Sequence, residues 1–259
     1  MSPAERHRTR ILAGQAAKTL SGQGLARPEA GPAASAYELE RARLGVDLRR
    51  LKAIQSIERK IEAKAEMLPA YADWVVGVLA GTSQNGRGVQ DDILVQVMIW
   101  RIDVGDYAGA LPLIDYVLKF GLALPERFNR TAATLIVEEI ADAALKTQGS
   151  GGNFNLPVLE HIAARTSRED MHDQVRAKLE KALAQAIAAK AQAIEPDADG
   201  PAGARRAVFE RALGHFRRAQ ELNSKVGVVK SIEKLERELK RTPAEPDPEI
   251  TGQAGANDN

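Results

Sequence analysis

Apolar positions recur along most of this chain at helical spacing, and no stretch alternates with period two. The pattern predicts an all-α protein. Its longest periodic run goes from about Ala36 to Leu68, where Leu44, Leu48, Leu51, Ile54, Ile57, Ile61, Ala65 and Leu68 form one stripe. The steps of three and four residues average close to the heptad period of about 3.5. That spacing predicts a single long, coiled-coil-like helix over 36–68. The other faces carry Arg41, Arg43, Arg49, Arg50, Lys52, Arg59, Lys60 and Lys64. A helix with one apolar seam needs a partner to be stable, so Leu44, Leu48, Leu51, Ile54, Ile57 and Ile61 are the candidate oligomerisation residues.

Shorter periodic runs follow. They predict helices over about 70–80, 90–104, 107–120, 130–147, 156–165, 169–194, 204–222 and 226–240. Gly81 to Gly88 reads as a polar glycine loop, and Gly105 and Gly121 read as helix stops. The segment around Gly105 and the pair of helices after Arg206 look like helical hairpins of the tetratricopeptide kind. They are too few for a repeat array. Small residues and prolines over 21–35 and 196–203 read as linkers. The expected organisation is therefore a basic N-terminal arm and linker (1–35), a long helix (36–68), a helical core (69–195), a linker (196–203), a basic hairpin (204–241) and an acidic, disordered tail (242–259).

Composition narrows the chemistry. There are no cysteines, which excludes disulfides, thiolate zinc sites and cysteine nucleophiles. No apolar run approaches the ~20 residues that span a bilayer, and Met1 to Arg10 is not followed by the apolar region of a signal peptide. The net charge of +1 hides an uneven distribution. Residues 1–64 carry thirteen Lys/Arg against seven Asp/Glu, and residues 205–241 carry eleven against five, a surplus of +6 each. Residues 65–150 carry six against eleven, and 242–259 carry four acids and no base. A polyanion would be drawn to the two basic segments. Phosphate contacts need only Lys or Arg on a common face. The candidates are Arg6, Arg8 and Arg10, then Arg49, Arg50 and Lys52, then Arg211 and Arg218, a heptad apart. Solvated helical faces would carry the same residues.

The acidic residues allow two readings. Asp91 and Asp92 open a helix, where a carboxylate suits capping and the macrodipole; paired carboxylates can also hold a divalent metal for phosphodiester hydrolysis. Adjacent residues point about 100° apart on a helix, which disfavours chelation of one ion. Asp106 is a natural N-cap, and Asp103 can pair with Arg101 or another cation. Glu138, Glu139 and Asp142 form either a cation site or a solvated acidic face. His7, His161, His172 and His215 lack ligand spacing, and no phosphate-binding glycine loop with its lysine is present. No cofactor is expected, apart from magnesium if Asp91, Asp92, Asp103 or Glu139 are catalytic.

One block is more specific than these patterns. It reads Gln90-Asp91-Asp92-Ile93-Leu94, Val97-Met98-Ile99-Trp100-Arg101-Ile102-Asp103, Gly105-Asp106, Gly109-Ala110-Leu111 and Leu118-Lys119-Phe120-Gly121-Leu122. Leu68-Pro69, Trp74-Val75, Gly77-Val78-Leu79, Pro125, Arg130-Thr131 and Glu138-Glu139 extend it, and Asp173 to Leu179 and Leu235 to Lys240 continue it. Over roughly residues 2–240 the chain resembles the phage small terminase subunit family, in its branch from cohesive-end tailed phages and prophages. Some members of that family carry a Lys/Arg-rich tail where residues 245–259 here are acidic.

The resemblance implies a subunit that recognises the packaging site on concatemeric phage DNA. It also implies a large terminase partner carrying the packaging ATPase, oligomers that are often rings, and the cytoplasm of the bacterial host. The family is described as an endonuclease component, and the residues above do not single out an autonomous nuclease. The expected function is DNA recognition and assembly, with cutting done by the complex. The alternatives are a metal-dependent endonuclease acting through Asp91, Asp92, Asp103 or Glu139, and a tetratricopeptide-like scaffold without DNA binding.

Overall fold

Every regular element among the described residues is helical. The structure is a computed structural model and describes residues 1–17, 31–85, 88–192 and 204–241. The linker at 196–203, the tail at 242–259 and most of the linker expected over 21–35 lie outside these residues. The elements are α1 (Pro3–Ala16), α2 (Pro32–Ala53), α3 (Ile57–Met67), a 3-10 turn (Leu68–Tyr71), α4 (Ala72–Asn85), α5 (Asp92–Asp103), α6 (Tyr107–Phe120), α7 (Ala132–Gly149), α8 (Leu156–Arg165), α9 (Asp173–Gln192), α10 (Ala204–Leu222) and α11 (Val229–Arg241). No helix among them is long and apolar enough to cross a membrane. The chain divides into two compact units, one of residues 1–140 and 161–171, the other of 141–160 and 172–259. The stretch 69–195, read as one core, contributes to both.

The first unit is built around α5. Nine of its twelve residues are buried, from Ile93 through Trp100 and again at Ile102. A helix enclosed this way must satisfy its free N-terminal amides internally. Asp91 does so: its Oδ1 accepts from the Leu94 amide at 2.8 Å, and its Oδ2 accepts from the Trp74 indole nitrogen at 3.0 Å. Aromatic rings join the surrounding helices. Tyr37 of α2 lies 6.0 Å from Trp74, and Tyr71 meets Trp100 edge-on at 5.8 Å. The Tyr71 hydroxyl donates to Asp47 at 2.6 Å, and burial pushes its pKa far above the ordinary phenol value. Asp106 caps α6 through the Gly109 amide, and Gly121 ends that helix with φ +62°, a conformation that glycine adopts without cost.

Helix α1 lies within the basic N-terminal arm expected from the sequence and packs on α2 and α4. Ser2 and Glu5 form a capping box at its start. Its Ala13, Ala16 and Ala17 are buried. It packs on α4, where Gly77 and Gly81 lie one turn apart and let the two backbones approach. A β-carbon at Gly77 would stand 2.3 Å from the Arg10 carbonyl oxygen, and one at Gly81 would stand 2.4 Å from that of Gly14. Residues 81–85, expected in a glycine loop, continue α4.

The second unit centres on α9 and α10. Alanines 177, 182, 184, 186 and 191 are buried along α9. Small side chains there make room for Phe209, Leu213 and Phe216 of α10, which are also buried. Polar ties fix the register: Gln148 donates to the Ala182 carbonyl at 2.9 Å, Lys178 pairs with Asp142 at 2.9 Å, and His215 meets Glu180 at 2.6 Å. Helix α11 packs against α10 through the buried Leu235.

The α1–α4 contact is testable at its tightest point. Gly77→Ala is expected to cost about 1–3 kcal/mol, because neither backbone can yield locally. Amide exchange should accelerate in α1 more than in α5. Unchanged exchange in α1 would contradict the close packing.

Candidate nucleic-acid interface

The predicted helix over 36–68 is two helices. Helix α2 ends at Ala53, and Ile54 turns to extended backbone with φ −82° and ψ 130°. Ser56 then caps α3 by accepting from the Arg59 amide. The elbow changes the phase of the apolar stripe. Leu44 and Leu51 are 5% and 7% exposed, buried in their own chain. Leu48 and Ile54 are half-buried, whereas Ile57 and Ile61 of α3 are 75% and 36% exposed. The six residues assigned to one oligomerisation seam therefore do not share a seam. Leu44 and Leu51 are taken up by intrachain packing, and the chain turns before Ile57.

The same elbow brings together cations that are far apart on a straight helix. Lys52 of α2 and Lys60 and Lys64 of α3 line one cleft of about 580 Å³, with Trp100 and Phe128 in its wall and Arg127 beside them. Lys64 is neutralised by Asp103 at 2.6 Å. Arg127 donates to the buried Gln96 side chain and lies 4.8 Å over the Phe128 ring. Burial pushes its guanidinium below the ordinary arginine pKa, with Asp103 opposing. The other acid of the cleft, Glu139, is held by Arg130 at 2.8 Å.

Lys52 and Lys60, like the exposed Arg49 and Arg59 of the same two helices, have no carboxylate partner among the described residues. Arg50 does, reaching Glu66 across the elbow at 3.1 Å. Four uncommitted cations around one bend suit a row of phosphates, which asks for charge on a common face rather than exact geometry. Sequence reasoning named Arg49, Arg50 and Lys52 but missed Lys60, Lys64 and Arg127, because their meeting depends on the break at Ile54.

A model of the phage small terminase subunit family matches residues 41–174. The chain belongs to the phage small terminase subunit family. Membership gives it a terminase role in phage DNA packaging. It is 40% identical over 255 residues to the "Terminase, endonuclease subunit" of Escherichia phage P2, covering 98% of this chain and 91% of that protein. It is 24% identical over 189 residues to the "Probable terminase, endonuclease subunit" of Haemophilus phage HP1, covering 73% of this chain and 65% of that protein. No solved structure matches.

In this family member the four acids considered for metal chemistry are dispersed. Asp91 is fully buried with both oxygens engaged, as described above. Asp92 is near Arg41 at 3.6 Å, Asp103 pairs with Lys64 rather than Arg101, and Glu139 pairs with Arg130. Among the described residues no three His, Asp or Glu side chains come within reach of one metal ion.

The remaining basic candidates are mostly engaged. Arg211 pairs with Glu160, and Arg218 meets Glu221 at 3.1 Å. Arg6 and Arg10 each direct Nε to Asp73, at 2.9 and 2.7 Å, which ties α1 to α4. Arg8 alone of that trio has no carboxylate partner among the described residues. The hydrogen bond from Arg10, with help from Arg6, holds the Asp73 carboxyl below its ordinary value of 3.8. A carboxylate depressed in the folded state stabilises fully above its unfolded pKa, and the effect is lost as pH falls through the folded value. The urea midpoint of the wild type should therefore exceed that of Asp73→Asn at neutral pH. The gap should close as pH drops below 3.8. A gap that stays constant down to pH ~2 would contradict this linkage.

Proposed function

We propose that this small terminase subunit binds duplex phage DNA through phosphate contacts at the α2–α3 elbow. It assembles with a large terminase subunit that cuts and translocates concatemeric DNA into the procapsid. Its site of action is the cytoplasm of the bacterial host. The observation that carries this reading is the group Arg49, Lys52, Arg59 and Lys60, exposed or half-exposed and without carboxylate partners among the described residues. Exposed apolar side chains on the same two helices, Leu39, Val46, Ile57 and Ile61, support self-association into an oligomer, including a ring.

A second reading is favoured by the names of the P2 and HP1 relatives, a terminase endonuclease subunit and a probable one. Under that reading the chain itself cuts the packaging site with magnesium. The dispersed carboxylates support cutting by the large subunit instead. Incubation of the purified chain alone with packaging-site DNA and magnesium separates the two. Cleavage abolished by Asp92→Asn or Glu139→Gln in a folded protein would establish the nuclease.

The elbow is tested by duplex affinity across a salt series. Lys52→Glu/Lys60→Glu should weaken binding at least tenfold at low salt and reduce the slope of log K against log salt by about 2, near 0.9 per lost phosphate contact. Far-UV circular dichroism should be unchanged. Undiminished affinity with an unchanged slope would remove the elbow from the interface.

A further inference from the structure

The cleft at the elbow holds more than a row of phosphates requires. Duplex DNA offers its phosphates and groove edges while its bases stay stacked, and cations alone suffice for the phosphates. This cleft also has an aromatic and apolar wall. Phe128 lines it, half-buried, with the Arg127 guanidinium 4.8 Å over its ring. Ile99 and Leu135 line it as well. An aromatic ring and a guanidinium plane are the two kinds of surface on which unstacked bases settle in single-stranded nucleic acid. The volume of about 580 Å³ lies within the ~300–1,000 Å³ of a small-molecule pocket.

Gln96 lines the same cleft and is only 2% exposed. Its Oε1 accepts from Arg127. A guanidinium can only donate, so the amide oxygen must face it and the NH2 group must point elsewhere. That nitrogen donates to no acceptor among the described residues. A buried donor without a partner costs free energy, which an acceptor entering the cleft restores. Base edges carry such acceptors, purine N7 and thymine O4 among them. Lys52 is exposed and Lys60 partly so, both without a carboxylate partner among the described residues. The two acids of the cleft, Asp103 and Glu139, are already held by Lys64 and Arg130.

We propose that this cleft takes an unpaired nucleotide of single-stranded DNA. Lys52 and Lys60 hold its phosphates, the Phe128–Arg127 surface stacks its base, and the Gln96 amide nitrogen donates to the base edge. A strand separated from its complement, as at an opened or cut duplex end, is thereby retained by the subunit. The inference rests on the DNA-binding reading above for its polymer and shares two lysines with it; the base contacts are its own.

The test uses fluorescence anisotropy at low salt on the whole chain. One probe is a thymidine strand of roughly ten nucleotides, within the size of a single-strand site. The other is an abasic strand of the same length, so the ratio of the two affinities isolates the base. The wild type should favour the thymidine strand at least about fivefold, the lower end of what one stacked base contributes. Phe128→Leu should bring the ratio near one, and Phe128→Trp should restore it. Gln96→Glu keeps an acceptor for Arg127 and removes the donor, so it should lower the ratio; a ratio that it leaves unmoved overturns the amide contact. Duplex affinity should be unchanged in Phe128→Leu, whereas Lys52→Glu/Lys60→Glu should weaken both duplex and single strand. A wild-type ratio near one, or a ratio that survives Phe128→Leu, overturns the base site. Displacement of the thymidine strand by polyglutamate as readily as by unlabelled strand overturns it too, in favour of an acidic polypeptide. Loss of single-strand binding in the lysine variant with duplex binding intact would instead sink the duplex reading and leave the base site standing.

Discussion

The first unit depends on a buried carboxylate. Asp91 is wholly enclosed, and a polar group there is tolerable only with its hydrogen bonds made. It has them from two directions, the Trp74 indole of α4 and the Leu94 amide at the start of α5. The macrodipole of α5 adds a favourable field at that end. One side chain thus sets both where α5 begins and how α4 lies against it. Because α5 is buried along nearly its whole length, the position of α4 decides where α1 docks. The aromatic pairs Tyr37–Trp74 and Tyr71–Trp100 hold α2 and the 3-10 turn to the same frame. The elbow after Ala53 is anchored through Leu44 and Leu51.

This constraint bears on function by removing candidates. The acid whose position most invited a metal is used as a cap, and the basic residues of α1 are drawn into holding that helix on α4. Charge counts mislead here, because a surplus of +6 says nothing about which cations are already paired. Over 205–241 the arginines are largely consumed locally: Arg206 meets Glu210 and Arg217 meets Glu236, each within 3 Å, alongside the Arg211 and Arg218 pairs. Among the described residues, Arg8 and the set at the elbow stay available.

Much of the fold was legible, and for identifiable reasons. The bounds of α6 follow from Asp106 as cap and Gly121 as left-handed stop, and α8 and α10 coincide with their predicted spans. The elbow was missed because Ala53 to Ser56 contains neither glycine nor proline. A signal was present: three successive steps of three residues run from Leu48 to Ile57, too short for an α-helix that repeats every 3.6. Averaging those steps with the fours on either side produced a false heptad. Ser56, three residues before Arg59, was the matching cap. The site was less legible. Lys64–Asp103 and the Arg6/Arg10–Asp73 bridge join residues 39 to 67 positions apart, and no local pattern announces such pairs.

The most direct measurement is the duplex affinity of Asp91→Ala, taken well below its melting temperature and beside its unfolding free energy. Losing the cap and leaving the Trp74 indole without an acceptor should cost about 2–4 kcal/mol of stability. Affinity and its salt slope, per folded molecule, should equal those of the wild type. Wild-type stability together with lost DNA binding or lost terminase cleavage would contradict the account, because it would make Asp91 a functional group rather than the cap on which the fold is built.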